Sequence, residues 1–442
     1  MTRRLTTVGV ALGLTASTIG SGARAQTGQL PATERAIVRA ADANNQAALD
    51  LLERLVNINS GSLNVAGVKQ VGVALRSEFD ALGFTTRWID GASFGRGGHL
   101  VAEHPGSGPR LLLIGHLDTV FEPSSPFQRY QRLGDSARGP GVNDMKGGDV
   151  IIVAALKALK AAGALDRIHV TVIFTGDEES SGHPLEQSKA ALVELARQAD
   201  YAIGFEDGAD DSATAVVSRR SAGGWTLRVT GTAAHSSQIF RADIGAGAIF
   251  ETARILEAFR TRLQGQPYLT FNPGMALGGT EVHPDSGGAS GSAAGKTNVV
   301  AARMEVRGDL RALSPEQLAA AQTTMREIVG KNLPGTTASI EFADGYPPLA
   351  PSEGNRRLLA VYDSASRALG FGPVTGVDPA KAGAADVSFT APYVKGALDG
   401  IGLPGTGTHT ETETADLRML APLTKRAALL LLWLSQSGAP RA

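Results

Sequence analysis

The feature that most constrains the fold is a strand–helix–strand unit built almost entirely of apolar residues. The runs RLLLIGH (110–116) and HVTVIF (169–174) flank the helical segment DVIIVAALKALKAAG (149–163). A strand without polar alternation has both faces covered, which is typical of parallel sheets whose crossover helices pack on those faces. The chain is therefore predicted to contain an α/β sheet.

A second pattern begins near residue 219 and interrupts the first. From there to about residue 345, the pattern of apolar residues predicts the element order strand, helix, strand, strand, helix and strand. This is the order of a ferredoxin-like α+β domain. The α/β pattern then returns. The predicted organisation is a first catalytic part at 26–218, an inserted domain at 219–345 and a second catalytic part at 346–442.

The first 25 residues predict an export signal. Arg3 and Arg4 precede an uncharged, mostly apolar stretch, and the small-x-small sequence ARA ends at Ala25. This order is typical of a cleavable secretory signal, and the arginine pair suggests twin-arginine export. We expect a secreted or periplasmic protein whose mature chain has no membrane span.

Charge and cysteine content exclude several classes of function. The 442 residues include 42 basic and 43 acidic side chains, so the composition indicates no nucleic-acid partner. There is no cysteine, so any metal ion must be held by histidine and carboxylate. No G-x-S-x-G motif supports a serine hydrolase.

Acids and histidines recur where the predicted strands of the α/β domain end. The segments are GHLDTV, GPGVNDMKGG, FTGDEE, GFED and GTGTH, and they carry His116, Asp118, Asp144, Glu178, Glu179, Glu206 and His409. Because the carboxyl ends of strands in an open α/β sheet share one crevice, these side chains are predicted to converge.

Two histidines and three carboxylates without thiols suit a borderline divalent ion such as zinc, and suffice for two ions if one carboxylate bridges them. His116 and Asp118 lie two apart on a strand and point to the same side, so Asp118 can accept the second imidazole N–H. The adjacent Glu178 and Glu179 point in different directions, so one can bind metal while the other acts as general base.

These five segments, in this order, resemble the M20 family of metallopeptidases and its glutamate carboxypeptidase-like branch. The resemblance implies a di-zinc aminopeptidase-like α/β domain with an inserted ferredoxin-like lid, through which homodimers form. It implies that Asp144 bridges two zinc ions, that His116 and Glu206 complete one ion, and that Glu179 and His409 complete the other.

The resemblance assigns further roles outside the metal ligands. Glu178 matches the general base, Asp118 the orienting acid, and a cis peptide is expected after Asp144. In VTGTAAHSS, His235 matches a histidine that reaches the partner subunit's active site and stabilises the oxyanion, although a plain surface histidine is the alternative. Two substrate contacts are also implied, Asn298 in TNVV and Arg311 in GDLRAL, with a structural salt bridge as the alternative for Arg311.

Two departures from the family pattern concern specificity. The segment KAGAADVSF keeps only Gly383 and Asp386 of the expected Gly-Gly-Thr/Ser-Asp frame, and no lysine lies near Thr214 to hold a glutamate substrate. A preference for glutamate is therefore not predicted.

Three functions are consistent with the sequence. The first is an exported, metal-dependent hydrolase that uses metal-activated water and Glu178 to release a C-terminal amino acid from a small peptide or N-acyl amino acid. The second is an aminoacylase or deacylase on the same scaffold, and the third is a non-catalytic solute-binding protein. The complete set of ligands and base favours an enzyme.

Overall fold

The computed structural model describes residues 30–209, 211–285, 287–343 and 345–436. The predicted export signal lies outside these residues. The described helices are α1 (Ala32–Ala43), α2 (Asn45–Val56), α3 (Val65–Leu82), α4 (Lys146–Ala161), α5 (Leu185–Gln198), α6 (Gly247–Leu263), α7 (Pro315–Val329), α8 (Glu353–Ala368) and α9 (Leu420–Gln436). None of them is long and apolar enough to cross a lipid bilayer.

The described strands are numbered in chain order. They are β1 (Thr85–Asp90), β2 (Gly98–His104), β3 (Leu111–His116), β4 (Gln131–Leu133), β5 (Ser136–Arg138), β6 (Val170–Thr175), β7 (Tyr201–Gly204), β8 (Thr214–Ala215), β9 (Gly223–Gly231), β10 (Thr270–Gly279), β11 (Glu281–Pro284), β12 (Gly291–Ala294), β13 (Arg303–Arg311), β14 (Thr336–Phe342), β15 (Thr375–Gly376), β16 (Gly396–Leu398), β17 (Gly405–Thr406) and β18 (Thr414–Asp416).

A six-stranded sheet organises the α/β domain, in the order β1-β2-β6-β3-β7-β16. Strands β6, β3, β7 and β16 run parallel, and β1 and β2 extend the sheet with antiparallel pairing. Alternate residues of β3 enter different cores: Leu111 and Leu113 pack in the cluster that contains α4 and α9, whereas Leu112 and Ile114 pack with α5. Both faces are covered, which explains the unbroken apolar strands.

A second, four-stranded sheet lies between Gly223 and Phe342, in the order β10-β13-β9-β14 with antiparallel pairing throughout. Helices α6 and α7 pack against it around a separate core that includes Trp225, Phe259 and Met325. This is the ferredoxin-like arrangement, so the predicted fold class is confirmed. The domain limits given above stay predictions.

The structure differs from the sequence prediction in two local elements. The amphipathic spacing of residues 33–57 predicts one helix. The structure has two helices there, α1 and α2, because Asn44 leaves helical geometry at φ −93°, ψ 1°, and asparagine favours helix ends over interiors. The Gly/Ser-rich composition of residues 285–297 predicts a mobile hairpin loop inside the inserted domain. In the structure, residues 291–294 form β12 and pair with β11. Small exposed residues give no alternation, so the sequence pattern could not indicate this strand.

Candidate active site

The parallel strands bring the predicted site together at one edge of the large sheet. His116 ends β3, Glu178 and Glu179 follow β6, and Glu206 follows β7. Because β3, β6 and β7 run in the same direction, their carboxyl ends meet at this edge. Two loops complete the set and contribute Asp144, just before α4, and His409, between β17 and β18.

Asp144 lies at the centre of the cluster, with one carboxylate oxygen directed at each histidine. His116 Nε2 lies 3.2 Å from Asp144 Oδ1 and 3.3 Å from Glu206 Oε1. His409 Nε2 lies 3.1 Å from Asp144 Oδ2 and 3.0 Å from Glu179 Oε2. The five side chains therefore form two groups that share one carboxylate.

The raised pKa values of the glutamates in this cluster indicate that their ionised forms are destabilised unless a cation lies nearby. Burial, together with the nearby charge of Asp144, raises the pKa of Glu179 to about 7 and the pKa of Glu206 to about 8. Burial and the charge of Glu206 also raise the pKa of Glu178 well above its usual range. Crowded carboxylates of this kind are stabilised in their ionised form by cations. The donor set, two imidazoles and three carboxylates, fits two divalent ions.

A second way to divide the ligands considers only which potential ligand atoms lie close together, and it gives two groups that share His116. His116, Glu178 and Glu206 have ligand atoms within 4.8 Å of one another, and so do His116, Asp144 and Glu179. This division places Glu178 among the ligands and omits His409. We favour the division defined by Asp144, because each histidine there contacts its own glutamate at 3.0–3.3 Å. Glu178 then lies beside the cluster with its carboxylate uncommitted to a histidine.

Asp118 acts through different contacts from those that the sequence predicted. His116 Nδ1 lies 3.1 Å from the Asp118 main-chain carbonyl oxygen and 3.6 Å from its carboxylate Oδ1. The carboxylate instead accepts hydrogen bonds from the backbone amides of Glu178 and Glu179, each at 3.1 Å, and from Ser62 at 2.6 Å. The main-chain carbonyl orients the imidazole, and the carboxylate holds the two glutamates in place.

The first acid of the sequence DEE has a separate place in the structure. Asp177 is buried and turned away from the cluster, and it contacts Lys189 at 3.1 Å. The three adjacent acids therefore divide into one that stabilises the fold and two that face the site. The peptide bond between Asp144 and Met145 is cis, as the resemblance implies.

Glu413 holds the loop that carries Asp144, a role that the sequence did not reveal. Its buried carboxylate accepts hydrogen bonds from the backbone amides of Gly141, Asn143 and Asp144 at 3.0, 2.8 and 3.1 Å. Glu413 lies in the run THTETETAD, whose alternating polar residues predict a solvated segment. It follows His409 by four residues and so ties the Asp144 loop to the His409 segment.

Replacing Glu413 with glutamine is expected to weaken metal binding by roughly 10–100-fold, the usual effect of losing a group that orients metal ligands. The amide has one acceptor oxygen for three N–H donors, and its own NH₂ group opposes one of them. Competition with a chelator of known affinity measures the effect. The matched control is E411Q, on an exposed side chain of the same segment, which should bind metal as the wild type does. Equal affinity in E413Q and wild type would contradict the assigned role.

Three predicted residues lie on the inserted domain and have other contacts. His235 is exposed, and its Nδ1 lies 2.8 Å from Ser237 Oγ. Asn298 is exposed. Arg311 forms an ion pair with Asp309 at 3.1 Å, the structural alternative considered for it. Within the described chain, none of the three is among the residues that line the cavity beside the cluster.

That cavity has a volume of about 410 Å³ and combines acidic and basic side chains. Its acidic side is formed by the cluster and by Asp207, and its basic side by Arg219 and Lys381. Arg219 is buried and pairs with Asp399 at 2.9 Å, whereas Lys381 is exposed. Lys381 opens the segment KAGAAD, where the sequence departs from the family pattern.

The paired histidine and carboxylate groups at the carboxyl edge of the parallel strands define the class as a metal-dependent hydrolase. A family model confirms this class: residues 112–433 match Peptidase family M20/M25/M40. The chain belongs to this family.

Individual proteins of known sequence or structure are also similar to this chain. The chain is 28% identical to carboxypeptidase G2 of Pseudomonas sp. (strain RS-16), over 90% of this chain and 92% of that protein, which agrees with the predicted branch. It is 26% identical to aminoacylase-1 of Mus musculus, over 60% of this chain and 66% of that protein. YXEP of Bacillus subtilis, described as a dinuclear metal-binding peptidase of the M20 family, has the same fold, with a TM-score of 0.61, 15% identity, and coverage of 90% of this chain and 99% of that one.

Proposed function

We propose that this protein hydrolyses an amide bond and releases a C-terminal amino acid from a small peptide or an N-acyl amino acid. The observation that carries the proposal is the position of Asp144, whose two oxygens each face a histidine–glutamate pair. This arrangement supports a centre of two divalent ions with Asp144 between them. Glu178 lies next to the centre, with a carboxylate oxygen within 4.8 Å of ligand atoms of His116 and Glu206, and we propose that it moves the proton.

The protein side chains have distinct roles in this proposal. His116 and Glu206 would hold one ion, Glu179 and His409 the other, and Asp144 both. When bound, the ions polarise the scissile carbonyl and lower the pKa of the attacking water. Glu178 accepts the proton of that water and then donates it to the nitrogen of the departing amine, so the charge of the enzyme is restored after each cycle.

Zinc is the metal that we propose for both positions. Imidazole nitrogen and carboxylate oxygen without thiolate suit a borderline ion, and zinc commonly takes such mixed ligand sets. A hard ion such as magnesium prefers oxygen ligands, so the two histidines argue against it.

The cavity supports a small substrate with a free carboxylate. Its volume of about 410 Å³ suits a dipeptide or an acyl amino acid. Lys381 lines its wall, is exposed, and can supply positive charge for the substrate carboxylate, whereas Arg219 is already paired with Asp399. Arg311 and Asn298 remain candidates for substrate contacts only if the inserted domain approaches the cavity.

A substrate panel tests the specificity. Dipeptides and N-acyl amino acids are compared with forms whose C-terminal carboxylate is amidated. We expect the amidated forms to lose about ten- to a hundredfold in kcat/KM, since a charge-assisted hydrogen bond contributes about 1.5–3 kcal/mol. Equal rates on amidated substrates would contradict the carboxypeptidase proposal.

Aminoacylase or deacylase activity is the alternative on the same metal centre. The similarity to aminoacylase-1 supports it, and the chemistry of the amide bond is the same. A clear preference for N-acyl amino acids over dipeptides in the panel would favour this alternative.

We also propose a homodimer through the inserted domain. Three large apolar side chains are exposed there, Phe240 at 67%, Ile249 at 52% and Phe250 at 53%, and the rings of Phe240 and Phe250 lie 5.7 Å apart. A second copy would cover this surface, and His235 could then stabilise the oxyanion in the partner's site. Light scattering on wild type and F250D tests the dimer; a monomeric wild type would contradict it.

Export by cleavage after Ala25 is the remaining proposal. It is supported by the basic start, the uncharged apolar stretch and the small-x-small sequence of residues 1–25. The intact mass of protein recovered from the periplasm tests it, and a mature chain that retains Arg3 and Arg4 would contradict it.

A further inference from the structure

The proposed function assigns no role to Asp177, although it stands directly before the general base. Asp177 is fully buried, and its carboxylate accepts hydrogen bonds from the Gly182 amide at 2.8 Å and from the hydroxyl of Ser188. Lys189, also buried, contacts the second carboxylate oxygen of Asp177 at 3.1 Å. A fully satisfied buried ion pair of this kind fixes the main chain around it.

Lys189 connects this segment to a second buried acid. Its Nζ lies 3.0 Å from Asp386 Oδ1, and Asp386 Oδ2 accepts a hydrogen bond of 2.6 Å from Thr175 at the end of β6. One lysine therefore joins two carboxylates from distant parts of the sequence. Asp386 is the residue of KAGAADVSF that keeps the family frame.

Tyr346 links this buried network to the general base itself. Its hydroxyl lies 2.8 Å from the main-chain carbonyl oxygen of Glu178 and 3.2 Å from Asp386 Oδ1. A phenol has one proton to donate, and the shorter contact is with the Glu178 carbonyl. Its ring packs edge-on against Phe389, with the ring centres 5.1 Å apart, so the hydroxyl is held in position.

The main chain of Tyr346 belongs to the connection between the two domains. Tyr346 and Ala222 exchange backbone hydrogen bonds of 2.8 and 3.0 Å, and Arg219 and Leu349 form a second pair three residues further on. These two segments are where the chain enters and leaves the inserted domain. The hydroxyl of Tyr346 thus joins that connection directly to the residue proposed to move the proton.

We propose that Tyr346 is a positioning residue for Glu178. Its hydroxyl and the Lys189 network fix the main chain of residues 177–179, and this keeps the Glu178 carboxylate aligned with the metal centre. The inference rests on the proposed role of Glu178 as general base. It adds that the domain connection, and not only the α/β sheet, determines where the base lies.

The variant Y346F tests this inference because it removes one oxygen and leaves the ring in place. We expect kcat to fall about tenfold, since misplacement of a catalytic group lowers the rate of the chemical step. KM and metal content should stay at wild-type values, and the melting temperature should fall by no more than a few degrees, the effect of losing one hydrogen bond. The matched control is Y362F, since Tyr362 is a buried tyrosine that packs beside Arg426 in the α/β core, away from Glu178. Its kcat should be unchanged.

The outcomes separate the inference from the function on which it rests. An active wild type with an unchanged kcat in Y346F would overturn the positioning role alone. A fall in kcat that parallels a loss of metal, or a fall in melting temperature well beyond the effect of one hydrogen bond, would also overturn it, because that result indicates a structural role. A wild type that is fully loaded with metal but hydrolyses no member of the substrate panel would refute the proposed function itself.

Discussion

The variant E178Q is expected to lose about 10²–10⁴-fold in kcat, the contribution typical of a general base. Glutamine has the same shape as glutamate but cannot accept a proton at neutral pH. Asp118 holds Glu178 through its backbone amide, so the variant should keep the main chain in place. Glu178 also contacts neither histidine as an ion pair, so metal content should remain at the wild-type level.

Steady-state kinetics on the best substrate of the panel, together with metal analysis of the same sample, measure this effect. The matched control is E186Q, at an exposed glutamate in the first turn of α5, which should behave as wild type. A kcat within about threefold of wild type in E178Q would contradict the role of Glu178 as base. A wild type that binds small peptides without turnover would instead favour the solute-binding alternative.

The variant D144N is expected to have the second large effect. Its carboxylate faces both histidines, so loss of its charge removes a shared ligand from both halves of the centre. Metal content should fall from two ions per chain to one or fewer. Turnover should fall about a thousandfold or more, since metal ions contribute several kcal/mol to stabilisation of the transition state.

Metal analysis and kinetics on D144N check this prediction, with D135N as the control at an exposed aspartate. Two bound ions in D144N would show that Asp144 is not the bridging ligand. The division of ligands defined by proximity alone, with His116 in both groups, would then become the better description.

Much of the site could be predicted because its residues follow apolar strands. The order of the strands in a parallel sheet determines where their ends lie, so His116, Glu179 and Glu206 could be placed together from sequence. The inserted domain could be predicted for a related reason, since its alternation of strands and helices forms a complete unit with its own core.

The residues that orient the site could not be predicted in the same way. Glu413 lies in a polar run with the pattern of a solvated loop, and Tyr346 lies in a short connection without periodicity. Their contacts, the backbone amides around Asp144 and the carbonyl of Glu178, are main-chain groups that no sequence motif marks. The contacts of Asp118 could not be predicted either. Its main-chain carbonyl oxygen, rather than its carboxylate, contacts the His116 imidazole, and its carboxylate accepts a hydrogen bond from the Glu179 backbone amide.

The substrate specificity could be predicted least well from the sequence, because loops rather than strands or helices line the cavity. The loop that carries Lys381 departs from the family pattern. A lysine at this position changes the charge of the wall without altering the metal ligands. Comparison of the substrate panel in wild type and K381A would show whether this charge contributes to recognition of the substrate carboxylate.

The most direct test of the account is the number of metal ions per chain in purified wild-type protein after loading with zinc and removal of excess metal. Elemental analysis should give two ions per chain, and their removal by a chelator should abolish hydrolysis until zinc is restored. A chain that holds no ion, or one whose turnover is unaffected by complete removal of metal, would contradict the assignment of a two-metal centre around Asp144.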